Sequence, residues 1–281
     1  MHLIDQLMMN VVRITAIRGD GNTSVGSGFA YELAKQEDGR FVPAIVTNKH
    51  VVEGAQSVTL PIGVADKDGN SIGTYEKITY ALTDKDVIMH PDPEVDLCAI
   101  VATPIYQYFG KKQLEPYLFR LDKDTAATDA TFEDLLPLTE VTMIGYPNGI
   151  WDYINNGALA RRGYIATNPE NDYLGKKEFV VDMACFNGSS GSPVYLANFG
   201  AHATRNGNVH FGPNVKLLGV LYAGPQHTVN GEIVLEPIAT QSKAISRTSI
   251  PNNLGFVIKA SELAAFEPIA ESLLDQASGT P

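Results

Sequence analysis

A hexapeptide two thirds of the way along the chain has the composition of a nucleophile turn: Gly188-Ser189-Ser190-Gly191-Ser192-Pro193. Its small residues let the backbone turn sharply enough to expose a serine hydroxyl while neighbouring amide N–H groups point to the same place. Acyl transfer requires this arrangement, because the hydroxyl attacks a carbonyl carbon and the amides stabilise the resulting oxyanion. A glycine- and serine-rich turn between strands is also a common feature without chemistry. The motif therefore predicts catalysis only if a base and an acid lie elsewhere in the sequence.

Two upstream segments supply a candidate base and a candidate acid. His50 follows apolar residues that are typical of a buried strand ending just before the histidine. Asp96 follows a proline-containing loop and directly precedes an apolar strand, so its carboxylate is predicted to be partly buried. A buried carboxylate needs hydrogen-bond partners, and a histidine ring N–H is one that also fixes the tautomer needed for base catalysis. The candidate groups thus follow the order His50, Asp96, Ser190.

Each of these residues has a simpler interpretation. A histidine after an apolar strand is more often a satisfied surface or core residue, and an aspartate beside prolines is usually a turn or capping residue. We favour catalysis because all three occur together, in order, with glycines at the required places. No metal site is expected, because the remaining histidines lie among loop-forming residues without paired ligand spacing. They are His2, His90, His202, His210 and His227.

Four segments resemble the trypsin/chymotrypsin-like serine peptidases, specifically the bacterial branch that includes the HtrA-type proteases. They are Gly26-Ser27-Gly28-Phe29, Thr47-Asn48-Lys49-His50-Val51-Val52, Asp96-Leu97-Cys98-Ala99-Ile100 and the hexapeptide at 188–193. The order His, Asp, Ser is that of chymotrypsin, the worked example for this triad. Weaker matches at 144–147, 162–165 and 254–258 extend the resemblance over roughly residues 10–260.

This resemblance implies an all-β chain of two six-stranded antiparallel β-barrels, as in chymotrypsin, with a C-terminal helix, and it implies a serine endopeptidase. Ser190 would attack the carbonyl, His50 would accept and return the proton, and Asp96 would orient the imidazole. The N–H groups of Gly188 and Ser190 would form the oxyanion hole. No cofactor is expected, and activity is expected to fall as the pH drops through roughly 6 to 7, because the base must be neutral.

The resemblance also implies a substrate-binding site. Ala184 would form the floor of the pocket for the residue before the scissile bond, where trypsin-type enzymes carry an aspartate. Without that carboxylate we expect cleavage after uncharged, small to medium apolar residues. Tyr222, Ala223 and Gly224 would pair with the backbone of an extended substrate.

Three features depart from the family pattern. Ser189 stands where zymogen-activated members have an aspartate that pairs with a freed N-terminus, so either the loop is constitutively competent or something else orders it. The HtrA family usually carries a peptide-binding PDZ domain after the second barrel, and too few residues follow here for one. The segment 225–253 is either a mobile surface insertion or a lid over the specificity pocket.

Composition limits the partners. The net charge of −11 without a basic run argues against nucleic acid, so a polypeptide substrate is the expected partner. Asp5, Asn10 and Arg13 interrupt the N-terminal apolar residues, and neither a signal peptide nor a membrane span is predicted. Cys98 and Cys185 are expected to be free thiols in a reducing compartment, which favours a cytoplasmic location.

Short apolar or alternating runs separated by turn signals predict the domain organisation. The domains are expected at 9–122, carrying His50 and Asp96, and at 138–260, carrying Ser190. A linker at 123–137 contains a short capped helix near 131–136, and a helix and tail follow at 261–281, broken at Pro268. Asp68-Gly69-Asn70 predicts a hairpin tip. The predicted strands are 12–17, 24–32, 41–47, 57–62, 78–82, 97–102, 140–146, 162–166, 178–183, 194–196, 215–222 and 256–258.

Two alternative functions keep the same residues. One is a catalytically silent peptide-binding module whose oxyanion loop never orders, and the other is an esterase-like serine hydrolase. A complete triad favours an enzyme over the silent module. A strand-lined cleft favours peptides over small esters.

Overall fold

The computed structural model of the chain describes residues 2–224, 226–232 and 245–278, and its elements are mainly β-strands. The first-half strands are β1 Val11–Arg18, β2 Thr23–Leu33, β3 Val42–Thr47, β4 Ala55–Ala65, β5 Ser71–Ala81, β6 Val87–Met89, β7 Cys98–Val101 and β8 Glu115–Tyr117. The second-half strands are β9 Glu140–Gly145, β10 Leu159–Ile165, β11 Glu178–Asp182, β12 Pro193–Asn198, β13 Ala201–Ala203, β14 Val209–Phe211, β15 Asn214–Ala223, β16 Gln226–Glu232, β17 Ile245–Pro251 and β18 Leu254–Lys259. The helices are α1 Leu3–Asn10, α2 Lys49–Val52, α3 Thr103–Lys111, α4 Asp129–Asp134 and α5 Glu267–Ser278, with 3₁₀ helices at Pro147–Gly149 and Ala260–Phe266.

The first half forms an eight-stranded antiparallel sheet in the order β5-β4-β1-β2-β3-β7-β6, with β8 paired to β4. In the described chain its end strands β5 and β6 do not pair, so the expected six-stranded barrel is replaced here by an open eight-stranded sheet. Two short strands that were not predicted, β6 and β8, raise the number from six to eight. In addition, β4 and β5 form a hairpin of two eleven-residue strands, longer than predicted. Residues 71–74 of β5 are exposed and carry no alternating pattern, so no sequence signal marks this extension.

The second half contains a closed six-stranded barrel, in the order β10-β11-β18-β15-β12-β9, as predicted. Its strands alternate or are continuously buried, which is why their sequence signals were clear. The predicted C-terminal helix is confirmed with its break: a 3₁₀ helix ends at Phe266, and Pro268 lies in the first turn of α5, where a missing N–H is tolerated.

Buried polar groups join the two halves. The Tyr195 hydroxyl of β12 donates to Asn10 Oδ1 at 2.8 Å, and Asn10 Nδ2 donates to the Ala30 carbonyl at 2.7 Å. The Tyr146 hydroxyl donates to the Val11 carbonyl at 3.2 Å. Since these groups are fully buried, the bonds hold the barrel against the first sheet and keep the faces that carry the candidate site together.

Several elements differ from the predictions or extend them. The hairpin tip at Asp68-Gly69-Asn70 is confirmed, because it joins β4 to β5. The short helix of the predicted linker is α4, which begins two residues earlier than expected because Thr128 supplies the cap. Part of segment 225–253 pairs as the hairpin β16–β17, while 225 and 233–244 lie outside the described residues. The domain bounds themselves stay a prediction.

In the described ranges, none of the helices is both long enough and apolar enough to span a membrane.

Candidate active site

The pairing of β3 with β7 positions the candidate base and acid. The two strands are antiparallel with Thr47 opposite Cys98, so the end of β3 and the start of β7 lie side by side. His50 follows β3 in the short helix α2, and Asp96 precedes β7 by two residues. The Asn48 amide fixes this junction by donating to the Asp96 carbonyl at 2.7 Å. The end of β3 and the start of β7, which were predicted independently, therefore meet at one edge of the sheet.

His50 and Asp96 form two direct hydrogen bonds. Asp96 Oδ2 lies 2.5 Å from His50 Nδ1, and Asp96 Oδ1 accepts from the His50 backbone N–H at 3.1 Å. The carboxylate thus fixes both the ring and the main chain of the histidine. An Nδ1–H held by a carboxylate leaves Nε2 as the free nitrogen, which is the tautomer that a general base requires.

The Ser190 turn depends on two glycines with positive φ. Gly188 has φ +81°, and a Cβ there would lie 2.7 Å from the Tyr146 carbonyl oxygen. Gly191 has φ +83°, and a Cβ there would collide with the Ser27 carbonyl oxygen. Only glycine fits both the conformation and the space. These two residues therefore permit the sharp turn that carries Ser190 between them.

Ser27 of β2 ties this turn to the first sheet. Its N–H donates to the Ser190 carbonyl at 2.8 Å, and its hydroxyl donates to the Gly188 carbonyl at 2.9 Å. The same hydroxyl accepts from the Tyr146 N–H at 3.0 Å. From the sequence, Ser27 belongs only to a segment that resembles the family, with no role of its own, because its partners lie more than a hundred positions away.

The orientation of the Asn187–Gly188 peptide is also fixed. The Asn148 N–H donates to the Asn187 carbonyl at 2.5 Å. Because C=O and N–H of a trans peptide point in opposite directions, the Gly188 N–H points away from Asn148. In the described ranges, neither this N–H nor that of Ser190 has a hydrogen-bond acceptor. Two backbone donors close to the hydroxyl in the chain are therefore without acceptors in the described residues.

A cavity of about 430 Å³ is lined by several of the residues predicted from the sequence. His50 and Ser190 both line it, together with the three residues expected to bind the substrate backbone, Tyr222, Ala223 and Gly224. Ala184 does not line this cavity, and its carbonyl instead accepts a hydrogen bond from Arg161. The remaining lining residues are Asn148, Cys185, Phe186, Asn187 and Leu221.

The Ser190 hydroxyl donates to the Tyr222 carbonyl at 3.3 Å. This contact ties the candidate nucleophile to the strand that forms one wall of the cleft. The Tyr222 phenol points the other way and donates to Glu178 at 2.9 Å. Burial, followed by that carboxylate, raises the pKa of Tyr222, so the phenol is neutral and acts as a fixed part of the wall.

Metal ligands and thiols are the other chemical groups of interest near this site. The described residues contain no group of three or more His, Cys, Asp or Glu side chains placed to hold a metal ion. Cys98 and Cys185 are buried free cysteines, and burial raises the pKa of the Cys185 thiol to about 11. Since the thiolate is the nucleophilic form, Cys185 is a neutral wall residue at ordinary pH.

Solved structures with a similar chain path are bacterial and HtrA-type proteases. The active form of the Rv3671c protease from M. tuberculosis is 17% identical, with 95% of this chain and 82% of that chain covered and a TM-score of 0.48. The HtrA-type protease AlgW with tripeptide is 16% identical, with 97% and 61% covered and a TM-score of 0.46. A serine endoprotease from Yersinia pestis is 15% identical, with 98% and 66% covered and a TM-score of 0.45.

Comparison with curated proteins gives no match. The sequence profile of the trypsin-like peptidase domain, in contrast, matches residues 26–199, which is more than half of the chain. This range contains the candidate base, acid and nucleophile described above. The chain therefore belongs to the trypsin-like peptidase domain family.

Proposed function

We propose that this protein is a serine endopeptidase that hydrolyses peptide bonds through a Ser190–His50–Asp96 triad and an acyl-enzyme. One observation carries the proposal: a histidine held by a carboxylate lines the same cleft as a serine on a turn that only glycines allow. Together these residues supply a base, the acid that orients it and a nucleophile.

The reaction follows from these positions. Ser190 Oγ bonds to the substrate carbonyl carbon while its proton passes to His50 Nε2, and the carbonyl π electrons move to oxygen. The Gly188 and Ser190 N–H groups donate to that oxyanion. When the C–N bond breaks, the leaving amine takes the proton from His50. Water then attacks the ester in the same way, giving its proton to His50, and the acid product leaves as Ser190 Oγ regains a proton.

The Ser190 hydroxyl has to leave the Tyr222 carbonyl before this reaction starts. On this proposal, a rotation about the Ser190 Cα–Cβ bond breaks the weak hydrogen bond at 3.3 Å and turns the hydroxyl toward His50. Catalytic hydrogen bonds in unliganded sites are commonly long or displaced and tighten when substrate binds. The same contact is the observation that favours the second candidate, a silent peptide-binding module, in which the hydroxyl would remain on Tyr222.

The edge of β15 suits an extended peptide. Pairing of β15 with β12 ends at Val220, and pairing with β18 shifts register between Leu221 and Ala223. After Val220 the side of β15 that faced β12 has no strand partner among the described residues, while Ala223 still pairs with Phe256 of β18. A substrate strand that forms hydrogen bonds to residues 222–224 would place its carbonyl against Ser190. A peptide uses such an edge, whereas a small ester does not.

The residues that line the cleft indicate which substrate side chain can precede the scissile bond. No acidic side chain is among the described residues that line the cavity, so a lysine or arginine there has no partner. Gly255 packs closely behind the wall: a Cβ at that position would lie 2.5 Å from Cys185 Sγ and 2.6 Å from Leu221 Cδ1. We therefore expect cleavage after uncharged, small to medium apolar residues. A strict preference for lysine or arginine in peptide profiling would contradict this expectation.

Labelling with a fluorophosphonate probe tests the proposal, because the probe phosphonylates only an activated serine. Wild-type protein is expected to label and to degrade denatured, dye-labelled casein, whereas Ser190→Ala does neither and Ser192→Ala does both. Absence of wild-type labelling would replace the proposal with the silent module. Labelling without cleavage of any unfolded protein or peptide would favour the esterase.

A further inference from the structure

Arg161 contacts the loop before the nucleophile from behind. It extends from β10, and its Nη2 donates to Ser189 Oγ at 2.8 Å. Its Nη1 donates to the Ala184 carbonyl. Ala184 and Ser189 are the two ends of the segment 184–189 that leads into Ser190. One guanidinium therefore joins both ends of this segment.

The guanidinium suits this position because it is planar and rigid. Its two donors have a fixed separation, so the two acceptors are held at a fixed separation as well. Ser189 is fully buried, and its N–H also donates to the Phe186 carbonyl at 3.0 Å. The side chain and main chain of the residue before Ser190 are thus both held. A displacement of Ser189 would move the N–H groups on either side of it.

The surroundings of Arg161 are unusual for a partly buried cation. Both acceptors are neutral, and its Nε is buried without a partner in the described part of the chain. Burial lowers the pKa of this guanidinium, which indicates that the charge is poorly solvated. A buried charge with neutral partners contributes little to stability compared with a packed apolar side chain. Fold stability alone does not explain an arginine here.

We infer that Arg161 is a positioning residue that holds segment 184–189 in the form that presents the Gly188 and Ser190 amides to the substrate carbonyl. The inference rests on the proposed function and addresses how that site is made competent. Ser189 has no ionic partner of its own, and Arg161 supplies the ordering contact from within the folded chain. The loop then needs neither a bound ligand nor a cleavage event to reach the reactive form.

Arg162 offers a matched control on the same strand. Its side chain is 71% exposed and faces Glu140, with 3.5 Å between Nη1 and the carboxylate. Replacing it removes the same charge and the same number of atoms from β10 without touching segment 184–189. A difference between equivalent variants at 161 and 162 therefore reports the loop contact and not the net charge or the strand.

The test compares Arg161→Met, Arg161→Lys and Arg162→Met for casein cleavage, peptide kcat and KM, and the rate of fluorophosphonate labelling. Loss of one oxyanion donor typically lowers kcat on the order of 100-fold, so Arg161→Met is expected to lose kcat by about that factor with KM within about threefold. In Arg161→Lys the ammonium group can reach only one acceptor, so its kcat is expected to lie between those of the wild type and Arg161→Met. Arg162→Met is expected to match wild type.

A chemical rescue distinguishes positioning from a purely structural role. In Arg161→Ala, guanidinium chloride at tens of millimolar is expected to restore kcat saturably by at least fivefold, with sodium chloride at equal ionic strength as control. Equal kcat in Arg161→Met and Arg162→Met, or rescue by neither salt with a matching loss of thermal stability, would overturn the inference. Wild-type protein that neither labels nor cleaves would instead remove the proposed function itself.

Discussion

Ser27→Ala is the sharpest perturbation of the link between the first sheet and the Ser190 turn. The substitution removes one oxygen atom from a fully buried residue and leaves its backbone bond to Ser190 in place. In the wild type, the Ser27 hydroxyl lies 2.9 Å from the Gly188 carbonyl oxygen and 3.0 Å from the Tyr146 nitrogen. Both groups lose this hydrogen-bond partner in the variant. The size of the effect can therefore be worked from two defined hydrogen bonds.

Each buried group that loses its partner costs about 1 to 1.5 kcal/mol, so the two together cost about 2 to 3 kcal/mol of unfolding free energy. For a chain of this size that corresponds to roughly 3–5 °C in the thermal midpoint. Because the Gly188 carbonyl belongs to the turn that carries Ser190, kcat is also expected to fall about tenfold. KM should change less, since the cleft walls at Cys185 and Tyr222 are untouched.

Ser192→Ala is the control, and thermal unfolding by circular dichroism together with peptide cleavage is the assay. Ser192 is equally buried, but its hydroxyl has no hydrogen-bond partner in the described part of the chain. Its loss should therefore change the unfolding free energy by less than about 1 kcal/mol and kcat by less than twofold. If Ser27→Ala destabilises the protein no more than Ser192→Ala does, the role assigned to Ser27 is wrong.

Three further predictions concern the site directly. Asp96→Asn should lower kcat on the order of 10³- to 10⁴-fold with the fold retained, because His50 loses the carboxylate that selects its tautomer; unchanged kcat would contradict the triad. Gly188→Ala should slow fluorophosphonate labelling at least tenfold, since its Cβ would lie 2.7 Å from the Tyr146 carbonyl oxygen at a φ of +81°; labelling at the wild-type rate would show that the turn tolerates displacement. Burial raises the pKa of Cys185 to about 11, so less thiolate is present at pH 7.5 than for an exposed thiol. Cys185 should therefore react with iodoacetamide about 100-fold more slowly than an exposed thiol at pH 7.5, and faster as the pH rises toward 11. Rapid alkylation at pH 7.5 would contradict its neutral state.

The parts of the site that the sequence predicted have local signals. His50 and Asp96 each sit at the boundary between an apolar run and polar residues, and such boundaries mark strand ends. The Ser190 turn is marked by its own glycines. The closed barrel was predictable for the same reason, because its strands are buried and their apolar pattern is regular. The first sheet was less predictable, since the exposed start of β5 has no regular apolar pattern.

The contacts that fix the turn have no local signal. Ser27 reaches Gly188 across 161 positions, and Arg161 reaches Ser189 across 28. Both depend on how the first sheet packs against the barrel and on which face of β10 is turned inward. Two arginines stand side by side at 161 and 162, and the sequence does not show which one contacts segment 184–189 and which one faces solvent. Long-range pairing of this kind becomes visible only when the fold is known.

Four residues hydrogen-bond to the turn that carries Ser190 and help to maintain its reactive form. Arg161 donates to both ends of segment 184–189, Asn148 holds the carbonyl at 187, Ser27 holds the carbonyl at 188, and the Gly191 N–H donates to the Leu221 carbonyl at 2.8 Å. These five hydrogen bonds, together with the Ser27 N–H bond to the Ser190 carbonyl, oppose the conformational entropy that the turn would gain on release. On the proposed mechanism, substrate binding therefore supplies less of the free energy that orders the turn, and more of it remains available for the transition state.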